Sequence, residues 1–137
     1  MPTLTRWFLR AAMVHLVAAF ALALFLSLPS SGELVGAWRP VYIHLLVLGW
    51  ASQVIFGVAY WMFPRRTPLD LNAVPWLGWT CFATLNAGLV VRSLSEPVIA
   101  VRASPLAADA AAVAALLQLG AVVAFVVMMW PRVRAGR

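Results

Sequence analysis

Charged side chains are scarce in this 137-residue chain: Asp, Glu and Arg make up 10% of it, and lysine does not occur. A soluble globular protein has about 25% charged and 45–50% apolar residues, whereas this chain is 64% hydrophobic with a mean hydropathy of +0.94. Too few polar side chains are present to cover a surface that faces water, and intrinsic disorder requires the opposite composition. The composition therefore excludes a soluble enzyme and predicts a membrane protein.

Motifs of common catalytic sites are also missing from the sequence. The single cysteine, Cys81, lies inside an apolar run and has no intrachain partner for a disulfide. Paired carboxylates, a glycine-rich phosphate loop and a Cys-x-x-Cys motif do not occur. Because hydrolysis, nucleotide binding and thiol redox chemistry depend on such motifs, we expect no catalytic activity from the chain on its own.

Four long apolar runs account for most of the sequence. A spanning helix uses about 20 residues, and turn residues such as Pro29-Ser30-Ser31-Gly32 separate the runs. The first run is longer than the core of a signal peptide, so we expect it to be retained. Short connections favour antiparallel neighbours. We therefore predict one all-α transmembrane domain over residues 1–137, an up-down bundle of four helices at about 7–28, 38–63, 74–91 and 106–130.

The ten arginines lie mainly at the ends of the apolar runs, where they meet lipid headgroups rather than nucleic acid. Seven fall on one side of the predicted topology and three on the other. By the positive-inside rule both termini face the cytoplasm, and we expect a multi-pass protein of a bacterial inner membrane. Six of the seven tryptophans also lie near predicted span ends, and Trp50 is the exception.

Polar residues inside the predicted spans are the informative ones, because lipid makes them unfavourable. On helix 2, Gly49, Gln53 and Gly57 form a row of small residues and one amide that is typical of a packing seam. We expect the partners of Gln53 among Asn86, Thr84 and Gln118. The spans predicted here hold no charged residue near their middle, which argues against transport.

The segment from His44 to Arg65 resembles the second helix of the large subunit of the heme-copper oxidase superfamily, in its nitric oxide reductase and cbb-type branches. The likeness lies in His44-Leu-Leu-Val-Leu-Gly-Trp50 and in Ile55-Phe-Gly-Val-Ala-Tyr-Trp-Met-Phe-Pro64-Arg65. The chain also looks like short stand-alone relatives of that subunit. The resemblance implies that His44 is an axial ligand of a low-spin b-type heme. Since the chain has two histidines in all, it implies no oxygen- or nitric-oxide-reducing centre.

Two interpretations of function follow from these observations. The first is a non-catalytic accessory subunit of a larger respiratory, denitrification or photosynthetic complex, with lipids and other membrane subunits or further copies as partners. The second is a heme b protein for electron transfer or gas sensing, with His44 and His15 as candidate ligands. Counted from the span ends, the two histidines differ in depth by roughly 9 Å. Two His44 residues of a dimer, or a ligand from a partner subunit, would also serve.

Overall fold

The computed structural model of the protein describes residues 1–29, 32, 34–63 and 75–133. Within these ranges the chain is all-helical and contains no strand. We number the helices α1 (Thr3–Leu26), α2 (Leu34–Met62), α3 (Pro75–Val101) and α4 (Pro105–Val133). The predicted loop arginines Arg65, Arg66, Arg134 and Arg137 lie outside the described residues.

Helices α1, α2 and α4 are long and apolar enough to cross a membrane. This finding confirms the predicted all-helical class and is consistent with a membrane protein. Helix α3 is not among the three, because its 27 residues include the polar side chains of Asn86, Arg92 and Glu96. At 1.5 Å per residue α3 is still about 40 Å long, which is the length of its neighbours.

Helix α3 extends well beyond the predicted end near residue 91. It continues to Val101, because Arg92 and Glu96 are four residues apart and form an ion pair along the helix surface. Arg92 also bonds Gln118, which lies near the middle of α4. Arg92, which the predicted bounds placed just past the end of the third span, therefore lies within α3.

Consecutive helices run antiparallel. On α1 and α2, Gly49 lies against His15, while Gly57 lies nearer the end of the helix and against Phe8 near the start of α1. On α3 and α4, Gly78 lies against Met128 and Gly88 against Ala114. Both the start of α1 and the end of α4 are consequently at one end of the bundle, which we call the termini end; the opposite end is the loop end.

An aromatic core closes the termini end. The rings of Phe56 and Phe125 stack at 3.9 Å between α2 and α4, and Phe8 meets Phe82 edge to face at 5.1 Å. Buried residues of all four helices complete this core: Leu4, Phe8, Phe56, Tyr60, Cys81, Leu85, Ala121, Ala124, Met128 and Met129. The Ser52–Met62 part of α2 contacts α4, with the ring of Phe56 stacked on that of Phe125.

The middle of α2 is a π-helix over Leu45–Ala51. The hydroxyl of Ser52 donates to the carbonyl of Val47, five residues earlier, at 2.8 Å. In a regular α-helix the nine residues from His44 to Gln53 would put these side chains about half a turn apart. The wider turns of the π segment change that rotation, and both side chains face α3. Regular α-helical winding of this sequence predicts His44 on an apolar face roughly opposite Gln53, and that prediction is wrong for this reason.

Candidate functional site

Three polar side chains from different helices meet in a neutral group that we call the amide cluster: His15, Gln53 and Asn86. The Gln53 amide donates to Asn86 Oδ1 at 3.2 Å, and the Asn86 amide donates back to Gln53 Oε1 at 3.3 Å. Asn86 also donates to the carbonyl of Phe82 at 2.8 Å. Gln53 is completely buried, so these bonds replace the water that the amide would otherwise bind.

The ring of His15 joins this cluster through Nδ1. That nitrogen lies 2.8 Å from the carbonyl oxygen of Ala11 and 3.1 Å from Nε2 of Gln53. Nδ1 donates to the carbonyl when it carries a proton and accepts from the amide when it does not. In a given protonation state Nδ1 therefore bonds either the Ala11 carbonyl or the Gln53 amide, but not both.

Gly49 lets α1 and α2 approach closely at this level. A Cβ atom at Gly49 would lie 2.8 Å from Cβ of His15 and 3.0 Å from a methyl carbon of Leu89. Such distances are far below van der Waals contact, so only glycine permits this packing. The histidine side chain thus rests directly on the backbone of α2.

A second group, which we call the charged cluster, joins α2, α3 and α4 nearer the loop end. It consists of His44, Arg92, Glu96 and Gln118. Arg92 Nε donates to Glu96 Oε1 at 2.8 Å, and Arg92 Nη1 donates to Gln118 Oε1 at 3.0 Å. His44 Nδ1 lies 3.2 Å from the other carboxylate oxygen, Glu96 Oε2. The guanidinium therefore links α3 to α4, and the carboxylate links α3 to α2.

Hydrogen bonding in the charged cluster is incomplete. Within the described ranges, four buried side-chain nitrogen or oxygen atoms make no hydrogen bond, and three belong to this cluster: His44 Nδ1, Glu96 Oε2 and Gln118 Nε2. The first two are at ion-pair distance but are not aligned as a hydrogen bond. Buried polar groups without partners are rare, and each one asks for an explanation.

The charged cluster lies well away from both ends of α2. His44 is ten residues into α2, about 15 Å from the start of the helix. For a 29-residue helix centred on a hydrocarbon core about 30 Å thick, this position is about 8 Å inside the core. About a quarter of each of the His44 and Arg92 side chains is nevertheless exposed on the surface of the bundle.

Leu89 separates the two clusters. Its side chain is 1% exposed and lies against Gly49, between Asn86 on one side and Arg92 on the other along α3. The aromatic core lies beyond the amide cluster, toward the termini end. Along the α2–α3 interface, the buried apolar side chain of Leu89 therefore separates the polar groups of the two clusters.

The five residues predicted to pack helices do not all lie at one contact. Gln53 and Asn86 bond each other, and Gly49 and Gly57 contact α1. Gln118 is not with them, because it accepts from Arg92 in the charged cluster. Sequence reasoning missed Arg92 and Glu96, although their spacing of four residues after an apolar run is the signal of a helical ion pair.

The candidate heme ligands His15 and His44 lie in different clusters. The side chain of His15 packs on Gly49 and its ring nitrogen faces Gln53 and Ala11, while His44 faces Glu96. Axial ligands of one heme must approach the iron from opposite faces of the ring. Gly49 and Leu89 pack against each other between the two clusters, so the structure does not bring the two histidines together at one site.

Comparison of the chain with protein-family models, with curated proteins and with solved structures found no match. The resemblance of residues 44–65 to the heme-copper oxidase subunit therefore stays a prediction.

Proposed function

We propose that the protein is a non-catalytic membrane subunit that docks through the outer face of α2 onto a larger respiratory, denitrification or photosynthetic complex. The observation that supports this proposal is the position of Trp50. Its side chain is 39% exposed and lies in the π segment near the middle of α2. Tryptophan normally marks the two membrane interfaces, where its indole N–H meets water or headgroups.

At the middle of a spanning helix, lipid offers the indole N–H no acceptor. The side chain of Trp50 makes no hydrogen bond to any other residue in the part of the chain that the structure describes. A partner helix supplies both an acceptor and apolar cover for the ring. Aromatic side chains of this kind are frequent anchors of protein interfaces. Ile43 and Val47, which are also exposed, extend the same part of α2 toward the loop end.

A pair of tryptophan variants tests the docking surface. Trp50→Ala removes the mid-helix anchor, whereas Trp61→Ala removes a more exposed tryptophan near the end of the same helix. Membranes of the native host are solubilised in mild detergent and separated by native electrophoresis. We expect the unaltered chain and Trp61→Ala to migrate with a larger complex, and Trp50→Ala to migrate alone. Co-migration of Trp50→Ala, or a small homo-oligomer for the unaltered chain, contradicts the proposal.

We further propose that the termini end faces the cytoplasm of a bacterium. Arg6 and Arg10 are exposed near that end, in agreement with the positive-inside rule. Reporter fusions placed after Arg137 and within residues 64–74 should both be active only as cytoplasmic reporters. Periplasmic activity at either position would reverse the orientation.

Binding of heme b at His44 is the second candidate, and the ion pair with Glu96 favours it. Histidines that ligate metals usually give their other ring nitrogen to a carboxylate or carbonyl, which fixes the ring. Here Glu96 faces Nδ1, so Nε2 is the atom offered to iron. The bound heme would supply one-electron or gas-binding chemistry, and a second copy or a partner subunit would supply the other ligand.

Addition of hemin to the purified protein tests this candidate. A sharp Soret band that His44→Ala abolishes and His15→Ala leaves unchanged supports it. Loss of the band in both variants would instead indicate that His15 and His44 of one chain both ligate the heme. The absence of a band in the unaltered chain rejects heme binding.

A further inference from the structure

A cavity of about 330 Å³ lies between α1 and α2 at the loop end and opens to the surface of the bundle. Its volume is within the range of about 300–1,000 Å³ that is typical of small-molecule sites. The last turn of α1 and the first turns of α2 line it with an apolar wall and a polar wall. The apolar wall consists of Ala23, Leu26 and Val35, and the polar wall of Ser27, Arg39 and Tyr42.

The polar wall contains a cation and a hydroxyl group that the bundle leaves without partners. The Arg39 side chain makes no ion pair or hydrogen bond in the part of the chain that the structure describes, and neither does the Tyr42 hydroxyl. The Ser27 hydroxyl, by contrast, already donates to the carbonyl oxygens of Ala23 and Leu24. The described residues that line the cavity include no carboxylate. The two free groups therefore favour an anion that accepts hydrogen bonds.

Arg39 lies at the depth where a bilayer changes from hydrocarbon to headgroups. Helix α2 has 29 residues and is about 43 Å long, so it extends about 7 Å beyond each side of a centred hydrocarbon core about 30 Å thick. Arg39 follows Leu34, the start of the helix, by five residues or about 7.5 Å. Tyr42 lies less than one turn deeper. Arginine and tyrosine are both typical of this boundary, where the phosphates of the lipids are the nearest anions.

We propose that this cavity binds the headgroup of one phosphatidylglycerol, an anionic phospholipid. The guanidinium of Arg39 binds the phosphate, the hydroxyl of Tyr42 donates to an oxygen of the same headgroup, and one acyl chain covers the apolar wall. The two polar side chains can reach one headgroup, because residues three apart on a helix have Cβ atoms about 5–6 Å apart. A lipid covers both walls at once, whereas a soluble anion leaves the apolar wall bare.

Charge balance favours an anionic lipid over a zwitterionic one. Arg39 is the single charged residue among those that line the cavity in the described part of the chain, and a lipid with one negative charge neutralises it. The ammonium group of a zwitterionic lipid would meet no carboxylate there and would be repelled by the guanidinium. The site does not include Trp50, so it goes beyond the docking function and does not depend on it.

A titration followed by native mass spectrometry tests the proposal. The purified protein receives equal amounts of phosphatidylglycerol and phosphatidylethanolamine with identical acyl chains, and we expect each chain to retain one phosphatidylglycerol. Arg39→Gln should weaken this binding about tenfold or more and remove the preference between the two lipids, because it deletes the charged donor. Tyr42→Phe deletes a neutral donor and should weaken binding about threefold. Arg102→Gln is the matched control, since Arg102 is exposed at the same end but does not line the cavity.

Three results would overturn the proposal: equal retention of the two lipids, unchanged affinity in Arg39→Gln, or an equal loss in Arg102→Gln. Arg39→Lys keeps the charge and should keep the preference for phosphatidylglycerol; its absence in this variant would contradict attraction by charge. Inorganic phosphate in large excess distinguishes the sources of the anion. Displacement of the lipid by phosphate would assign the polar wall to a soluble anion and reject the lipid site.

Discussion

The amide cluster and the charged cluster occupy the same interface, between α2 and α3, but they differ in charge and in how completely their polar atoms are hydrogen-bonded. The amide cluster is neutral, and its two amides bond each other. The charged cluster holds an ion pair, is partly exposed, and leaves three buried atoms without hydrogen bonds. A polar group that only packs helices needs complete bonding. The amide cluster thus has the mutual hydrogen bonding expected of a packing contact between helices, whereas the charged cluster does not.

The comparison also bears on the expectation that the chain is not a transporter. Charged residues do lie well inside the bundle, contrary to the sequence-based argument, yet Leu89 separates them from the amide cluster. Stacked and edge-to-face phenylalanines then close the termini end. A proton or ion relay needs polar groups in succession. Along this interface the succession stops at one buried leucine.

Arg92→Leu should give the largest effect, because it leaves the Glu96 carboxylate without its counterion. Breaking a buried ion pair from one side costs about 3–5 kcal/mol, and partial exposure of the pair places the expected loss of unfolding free energy near the lower value. Reversible unfolding in mixed micelles measures it. The double variant Arg92→Leu/Glu96→Leu should recover most of the loss. A single variant as stable as the unaltered chain would show that the pair is solvated and would remove the contrast between the clusters.

Gly49→Ala should have the next largest effect, because it forces α1 and α2 apart at the amide cluster. The added carbon would lie 2.8 Å from His15 Cβ, and overpacking of this kind costs about 1–3 kcal/mol. Gly36→Ala is the matched control on the same helix, since its added carbon would meet nothing within 4 Å. That control should be neutral or more stable by up to about 1 kcal/mol, from helix propensity alone. Equal stabilities of the two variants would argue against the close packing.

Gln53→Leu should have the smallest effect of the three. Asn86 retains its bond to the Phe82 carbonyl and His15 retains Ala11, so most groups of the amide cluster stay satisfied. Hydrogen bonds between helices in membranes average about 0.6 kcal/mol, with a maximum of about 1.7, and we expect a loss in that range. A loss as large as that of Arg92→Leu would mean that the amide cluster is more than a packing contact.

Sequence patterns locate three of the helices because long apolar runs bounded by turn residues carry that information. They fail at Arg92, where a charge after an apolar run was interpreted as the end of a span; the salt bridge with Glu96 and the bond to Gln118 keep it inside α3. Pairing of Gln53 with Asn86 follows from the small-residue row on α2. The ion pair of His44 with Glu96 does not, because it depends on the π segment, and the sequence Leu45–Ala51 contains no signal for wider turns.

The number of residues in that π segment sets how the first half of α2 is rotated about the helix axis relative to the second half. A turn closed over five residues instead of four holds one residue more than an α-helical turn. Deleting one residue of Leu45–Ala51 would restore regular winding and rotate everything before it by about 100° relative to Gln53. The deletion of one residue would thus separate His44 from Glu96 while Gln53 stayed paired with Asn86.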